Sequence, residues 1–354
     1  MYSENDLRDA VAAGAISGEA ADALRAHVAG ARTMPMTDEE TFRLVNGFND
    51  IFVTIAAVLL LVAMAGIGNA VGPGMNGALV AAAAWGMAEF FTRRRRMALP
   101  SIVLLLAFVG GIAVTGVELT GQLITNGTDE RVQVLSASAI AFTAAVGTWF
   151  HWQRFKVPIT VAAGAAAVAG LAITLILAAI GPGSSIETEF DNILMPLVLV
   201  AGLAVFAYAM RWDISDRARE TRRSDVAFWL HLLAAPMIAH PLFNWLGVTD
   251  GSNIGAGSAA GVLVIYVAMA LVALAVDRRA LLVSALAYVL IALTWLFDEF
   301  GAVELNLALT ALVIGSALLT LSAFWTPIRS ALVEKLPGTL QGRLPVSGRL
   351  VPSA

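Results

Sequence analysis

Residues 51–71 read IFVTIAAVLLLVAMAGIGNAV, an uninterrupted run without a single charged side chain. The hydrocarbon core of a bilayer is about 30 Å thick, and an α-helix needs about 20 apolar residues to cross it. Lipid offers the backbone no hydrogen bonds, so a spanning segment must satisfy its own N–H and C=O groups, as a helix does. This stretch therefore predicts a transmembrane helix.

Nine further segments have comparable length and apolar character. They predict an all-α fold, a polytopic transmembrane helix bundle of about ten spans. The predicted spans are 51–71, 77–92, 98–118, 134–152, 157–180, 192–210, 226–247, 256–276, 280–297 and 305–327.

The overall composition agrees with a chain whose solvent is lipid. Of 354 residues, 58% are hydrophobic and 14% are charged, and the mean hydropathy is +0.79. A soluble domain carries roughly 25% charged residues. The net charge of −4 provides no basic surplus for nucleic acid, which we exclude as a partner. The absence of cysteine excludes disulfides, thiolate metal sites and cysteine nucleophiles.

The basic residues predict the orientation of the bundle. If the N-terminus is cytoplasmic, the loops on that side hold 21 of the 22 Lys and Arg residues, and only Arg131 lies on the other side. A Lys/Arg excess in short loops marks the cytoplasmic face. We therefore expect both termini in the cytoplasm.

Three regions follow along the chain. Residues 1–48 predict an acidic cytoplasmic helical hairpin and linker, with Ser3 and Ser17 as helix caps and Gly14 at the first helix end. Residues 49–327 form the bundle. Residues 328–354 contain four basic residues and one acid among several prolines and glycines, which predicts a flexible basic cytoplasmic tail.

The hairpin turn, Gly14-Ala15-Ile16-Ser17, resembles the N-terminus of a family of uncharacterised bacterial multi-pass membrane proteins. Members of that family place a Gly-x-Ile-Ser helical hairpin ahead of a polytopic bundle. The resemblance implies a multi-pass protein of the bacterial inner membrane. It implies no activity, because the family has no established chemistry.

The seventh predicted span contains the most informative residues. Residues 228–245 read FWLHLLAAPMIAHPLFNW, which places two of the four histidines and two prolines within one span. The prolines cannot donate to the carbonyls four residues earlier, and broken helices build binding sites in membrane proteins. The residues of the predicted ligand-binding site are His231, Pro236, Met237, His240, Pro241 and Asn244.

Helical geometry divides this set. His231 and His240 are nine residues apart, on opposite faces and separated by about 13 Å of rise, whereas His240 and Asn244 share a face. An alternative interpretation is that the histidines are neutral and bond neighbouring helices, with the prolines as packing kinks. Outside this span, Glu89 lies one turn from Arg93 and predicts a surface pair. His151 fits an interfacial aromatic belt.

Two functions remain open. The sequence contains no phosphate loop, zinc motif or nucleophile elbow, so we expect no catalytic residues, no metal, no cofactor and no enzyme. The first function is a transporter-like protein for a neutral or lipophilic solute. The scarcity of charge inside the spans disfavours an ion-driven mechanism. The second is a non-catalytic scaffold, accessory subunit or sensor in the lipid bilayer, whose N-terminal hairpin binds a cytoplasmic protein partner.

Overall fold

A computed structural model describes residues 4–24, 48–124, 129–180, 186–219, 221–248, 255–299 and 305–345. These residues form helices and connecting turns, with no strand among them. The all-α prediction is confirmed. The helices are α1 (Glu4–Ala12), α2 (residues 18–24), α3 (Phe48–Val71), α4 (Met75–Ala88), α5 (Ala98–Gly121), α6 (Glu130–Phe155), α7 (Ile159–Ile180), α8 (Ile186–Ser215), α9 (Arg222–Trp245), α10 (Ala256–Val276), α11 (Ala280–Glu299), α12 (Asn306–Ala323), α13 (Trp325–Val333) and α14 (Gly338–Gln341).

The N-terminal unit contains α1 and α2. After α1, Gly14 adopts a left-handed conformation with φ of 67°, which glycine reaches without steric cost. The Ser17 hydroxyl then accepts a 3.1 Å hydrogen bond from the Ala20 N–H. Leu7 and Ala21 are the buried apolar residues of this unit. Residues 25–47 of the predicted hairpin and linker lie outside the described residues.

The bundle unit contains a helix at each of the ten predicted spans. Within the described ranges, eight helices are long and apolar enough to cross a membrane, and the count reaches nine if α12 and α13 form one bent span. Two segments differ from the prediction. Helix α4 is only 14 residues long, and the predicted span 305–327 bends by 70° between α12 and α13. The count of ten therefore remains a prediction.

Four tight elbows connect helices at one end of the bundle. In the described residues, the non-glycine positions with positive φ are Arg96, Lys156, Arg219 and Asp277, with φ between 52° and 56°. They recur roughly sixty residues apart along the chain. Each left-handed residue ends one helix or its final turn and allows the next to start within three residues. The four elbows therefore have a common backbone geometry.

Small residues allow the helices of the bundle to approach one another. A Cβ atom added to Gly77 of α4 would lie 2.4 Å from the Gly111 carbonyl oxygen of α5, and one added to Gly111 would lie 2.5 Å from the Gly77 oxygen. Such backbone contact replaces hydrophobic driving force in membrane bundles. We call α3–α7 the first half of the bundle and α8–α13 the second half. Helix α9 lies at the centre of the second half, where it packs on α8 and α11, and it also packs on α7 of the first half. Half of the most apolar stretch of α9 is buried inside the bundle, which is a larger fraction than in any other candidate span of the described residues.

The predicted topology can be tested with reporter fusions at alternating loops. We expect a cytoplasmic signal after four positions and a signal from the opposite side after four others, because the basic elbows lie on one face. The cytoplasmic positions are Thr92, Gln153, Ser224 and Arg279, and the opposite positions are Thr128, Ser185, Asp250 and Gly301. Two consecutive positions that report the same side would refute ten spans.

Candidate functional site

All six residues of the predicted site lie on α9. The helix runs without interruption from Arg222 to Trp245, through both Pro236 and Pro241. The Thr221 side chain caps its start by accepting a 3.2 Å hydrogen bond from the Arg223 N–H. The carbonyls that the prolines leave without their usual donors therefore lie within a continuous helix rather than in an unwound segment.

His231 is completely buried and forms part of an ionic cluster. Its Nε2 lies 2.8 Å from Oδ2 of Asp213 on α8. Oδ1 of Asp213 accepts a 2.5 Å hydrogen bond from Arg278 Nη2, and the same nitrogen donates to the Ser224 carbonyl at 3.1 Å. We call Asp213, His231 and Arg278 the buried triad. It connects α8, α9 and the elbow between α10 and α11.

A second buried carboxylate adjoins the triad in the sequence. Asp277, the left-handed elbow residue, pairs with Arg219 at 2.9 Å and accepts a 2.7 Å hydrogen bond from the indole N–H of Trp325. Arg329 of α13 approaches the same carboxylate at 3.6 Å. The elbow after α10 therefore holds an acid and a base side by side, and each is neutralised by residues of other helices.

Two arginines hold the chain beyond α13 through hydrogen bonds to its backbone carbonyls. Arg217 donates to the Leu344 carbonyl at 2.8 Å and to the Gln341 carbonyl at 3.2 Å, and Arg329 donates to the Pro345 carbonyl at 2.8 Å. Leu344 is buried. The sequence assigned residues 328–354 to a flexible tail. Residues 328–345 are packed in this way, and residues 346–354 lie outside the described part of the chain.

Within the triad, the Nδ1 atom of His231 is a buried hydrogen-bond acceptor to which no group of the described chain donates. Asp213 accepts from the guanidinium of Arg278, so its carboxylate is the charged, accepting partner and His231 Nε2 carries the hydrogen. His231 Nδ1 then exposes a lone pair, and it has no hydrogen-bond partner. The ring also contacts Phe206 edge-on, with centroids 5.1 Å apart. A neutral imidazole with a free lone pair can accept a proton.

His240 occupies a different environment. Its Nδ1 lies 2.6 Å from the hydroxyl oxygen of Tyr288 on α11, and its side chain is exposed at the surface of the chain. The Tyr288 ring stacks on buried Phe243, with centroids 4.3 Å apart. Asn244 lies one helical turn further along the same face of α9, as predicted from the spacing. No feature of the sequence indicated that Tyr288 would contact His240.

The other predicted site residues separate from His240. A Cβ added to Gly202 of α8 would lie 2.9 Å from the Met237 side chain, so Met237 packs against α8 and not towards α11. Pro236 is exposed and Pro241 is buried. The structure therefore divides the predicted set into His231 in the buried triad, Met237 in the α8 interface, and His240 beside Tyr288, with Asn244 one helical turn further along α9.

Glu89 and His151 are the two polar residues outside α9 whose environment was predicted from the sequence. Glu89 pairs with Arg93 at 3.3 Å, as the spacing predicts, and also with Arg154 of α6 at 2.6 Å. The prediction for His151 is wrong. The side chain is 1% exposed, and its Nδ1 lies 3.2 Å from the Thr160 hydroxyl. It packs among the rings of Trp85, Phe108 and Phe155.

Sequence reasoning missed Asp213 because the predicted sixth span ended at residue 210. A signal was present. Val205, Ala209 and Asp213 are spaced four residues apart and are 7%, 0% and 1% exposed, so the buried stripe of α8 continues into the acid. Arg278 had no such signal, because a charged elbow carries no periodicity that distinguishes a buried arginine from a solvated one.

The fold and site define a helix bundle compatible with an integral membrane protein. In the described residues, no group of three His, Cys, Asp or Glu side chains is arranged to hold a metal ion. Comparison with known proteins gave no match to a family model, to a curated protein or to a solved structure.

The two histidines of α9 should respond differently to truncation. We expect His231→Ala to lower the free energy of unfolding by about 3 kcal/mol, because it opens a cavity and removes a donor from a buried carboxylate. His240→Ala removes one hydrogen bond at the surface of the chain and should cost about 1 kcal/mol or less. Thermal unfolding of the purified variants in detergent measures both effects. Equal losses would contradict the separation of the two sites.

Proposed function

We propose that this chain is a ten-span protein of the bacterial inner membrane, with both termini cytoplasmic, that transports a neutral or lipophilic solute. We propose in addition that transport is coupled to a proton bound at His231. The observation that supports this proposal is the buried triad, in which a completely buried histidine bonds an aspartate that is itself paired with an arginine.

Charge inside a membrane bundle is costly, which makes function its default explanation. Asp213 lies in a candidate span and is 1% exposed. Ionisable residues in such positions form proton relays in pumps and transporters. The sequence-based argument against an ion-driven mechanism assumed that the spans lack buried acids. Asp213 removes that assumption.

The triad also provides a way for a proton to influence helix positions. With His231 neutral, Asp213 and Arg278 balance each other. Protonation of Nδ1 would place a second positive charge beside the only carboxylate that both residues contact in the described chain. Arg278 and the imidazolium would then compete for Asp213. Because these groups belong to α8, α9 and the α10–α11 elbow, a change in their pairing would alter how those helices pack.

His240 and Tyr288 are the solute-binding residues of the proposal. An imidazole exposed from a transmembrane helix has no water to bond and gains from a polar group in its surroundings. Beyond their mutual hydrogen bond, the imidazole and the phenol offer one donor and at least one acceptor. This chemistry suits an alcohol, carbonyl or amide group of an otherwise apolar solute.

The competing function is a non-catalytic scaffold, accessory subunit or sensor that binds a cytoplasmic protein through residues 1–48. In that case the ion pairs only fix the helix ends. The contacts of Arg217 and Arg329 with the segment Gln341–Pro345 favour this function, because they close the end of the bundle at which the buried triad lies.

Cysteine accessibility distinguishes a moving bundle from a static one. The natural chain has no cysteine, so Ala239→Cys creates a single thiol at a position that is 0% exposed on α9. If a proton at His231 opens the second half, a water-soluble maleimide should label this thiol about tenfold faster at about pH 4.5 than at about pH 7.5, after correction for the thiolate fraction. Adding His231→Gln should abolish the difference.

Ala84→Cys is the matched control, because Ala84 is equally buried in α4 of the first half. It should remain unlabelled at both pH values. An unreactive Ala239→Cys at every pH would instead support the scaffold function, and equal labelling of the two thiols would indicate general unfolding.

A further inference from the structure

We infer that one end of the first half of the bundle binds the headgroup of an anionic phospholipid. The surface consists of the basic residues of two neighbouring elbows, and we call it the basic rim. Its members are Arg93, Arg94, Arg95, Arg96, Arg154 and Lys156. This inference concerns a surface apart from the proposed transport residues of α8, α9 and α11.

The rim is built on a rigid foundation. Helix α4 continues into a π-helical turn, Glu89–Arg94, and α5 begins only a few residues later, at Ala98. Within this short connection, Thr92 is 8% exposed and Met97 is 7% exposed, whereas all four arginines between them are exposed. The buried residues fix the backbone at both sides. The arginines therefore project from an anchored turn.

Glu89 brings the second elbow to the first. It accepts hydrogen bonds from Arg154 Nε at 2.6 Å and Arg154 Nη2 at 3.0 Å, and one from Arg93 at 3.3 Å. This bidentate pair connects the ends of α4 and α6, so Lys156 joins the same surface. The basic rim holds six cations and the Glu89 carboxylate, so its local charge is about +5 when each group carries its usual charge.

Aromatic rings accompany the cations in the pattern expected at a membrane interface. The Arg95 guanidinium lies 5.5 Å above the Phe90 ring, and Lys156 Nζ lies 5.1 Å from the Trp152 ring. Phe90 and Phe150 are 43% and 54% exposed. Each precedes an arginine, Arg94 or Arg154, by one helical turn and lies on the same face. In a phospholipid, the acyl chains lie below the phosphate. A guanidinium could therefore bind the phosphate while the exposed ring one turn away contacts an acyl chain.

This combination favours a lipid over a free anion. Basic clusters of four to eight residues next to a transmembrane helix attract anionic headgroups. Arginine also binds phosphate through two parallel hydrogen bonds. A soluble phosphate would use only the guanidinium groups, whereas a phospholipid would also cover the exposed Phe90 and Phe150 rings.

Thermal unfolding of the full-length protein in neutral detergent tests the inference. We expect added phosphatidylglycerol to raise Tm by about 5 °C. Phosphatidylcholine with the same acyl chains, and inorganic phosphate alone, should leave Tm nearly unchanged. A response to phosphate equal to that of phosphatidylglycerol would overturn the assignment to a lipid.

The variant Arg94→Gln/Arg95→Gln/Arg96→Gln should lose most of this response while keeping the Glu89 pairs. The matched control is Arg211→Gln/Arg222→Gln/Arg223→Gln, which removes three exposed arginines from the second half and should respond like the natural protein. If both triple variants lose the response equally, the effect is diffuse charge attraction and the rim is not a site.

A second measurement does not depend on the folding of any variant. Native mass spectrometry of the natural protein, released from detergent with an equimolar mixture of the two lipids, should show preferential retention of phosphatidylglycerol. Equal retention of both lipids would overturn the inference.

Discussion

An ion pair between Arg278 and Asp213, enclosed within an apolar helix bundle, is the constraint that organises the second half of this protein. Both side chains are at most 2% exposed. Removing two charges from water is favourable only when they pair well and their remaining hydrogen-bonding groups are satisfied. The remaining oxygen of Asp213 takes His231, and Arg278 also donates to the Ser224 carbonyl. The positions of α8, α9 and the α10–α11 elbow follow from this requirement.

The two halves of the bundle use basic residues in opposite ways. In the second half, Arg219, Arg278 and Arg329 turn inwards and neutralise Asp213 and Asp277. In the first half, the basic rim turns outwards, with a single carboxylate beneath it. Both arrangements stand on elbows with the same left-handed backbone conformation. One recurrent turn therefore supports a buried network at one place and an exposed cationic surface at another.

Much of the architecture could be predicted from the sequence, because long apolar runs leave few alternatives to a helix. Each predicted span coincides with a helix, since about 20 apolar residues have few alternatives in lipid. The two segments whose assignment as spans remains a prediction are those where this rule is weakest. Helix α4 is short, and the last predicted span bends by 70° before Trp325, where a buried indole bonds Asp277.

The site was harder to predict, because it depends on contacts between distant parts of the chain. The histidines of α9 were recognisable as unusual, and their placement on separate faces followed from helical geometry. Their partners were not recognisable, because Asp213 and Tyr288 lie 18 and 48 residues away along the chain. Nor does a run such as Asp277-Arg278-Arg279 reveal which charges turn inwards. Burial of polar residues is a property of the assembled bundle.

A double-mutant cycle on Asp213→Leu and Arg278→Met tests this account most directly, with Glu89→Leu and Arg154→Met as the control cycle. Each single change in the buried pair should cost about 3–5 kcal/mol of stability, and the double variant should cost much less than their sum, because the partner no longer remains as an unpaired charge. The exposed control pair should show little or no coupling, because solvent screens it. Additive losses at Asp213 and Arg278 would contradict the account.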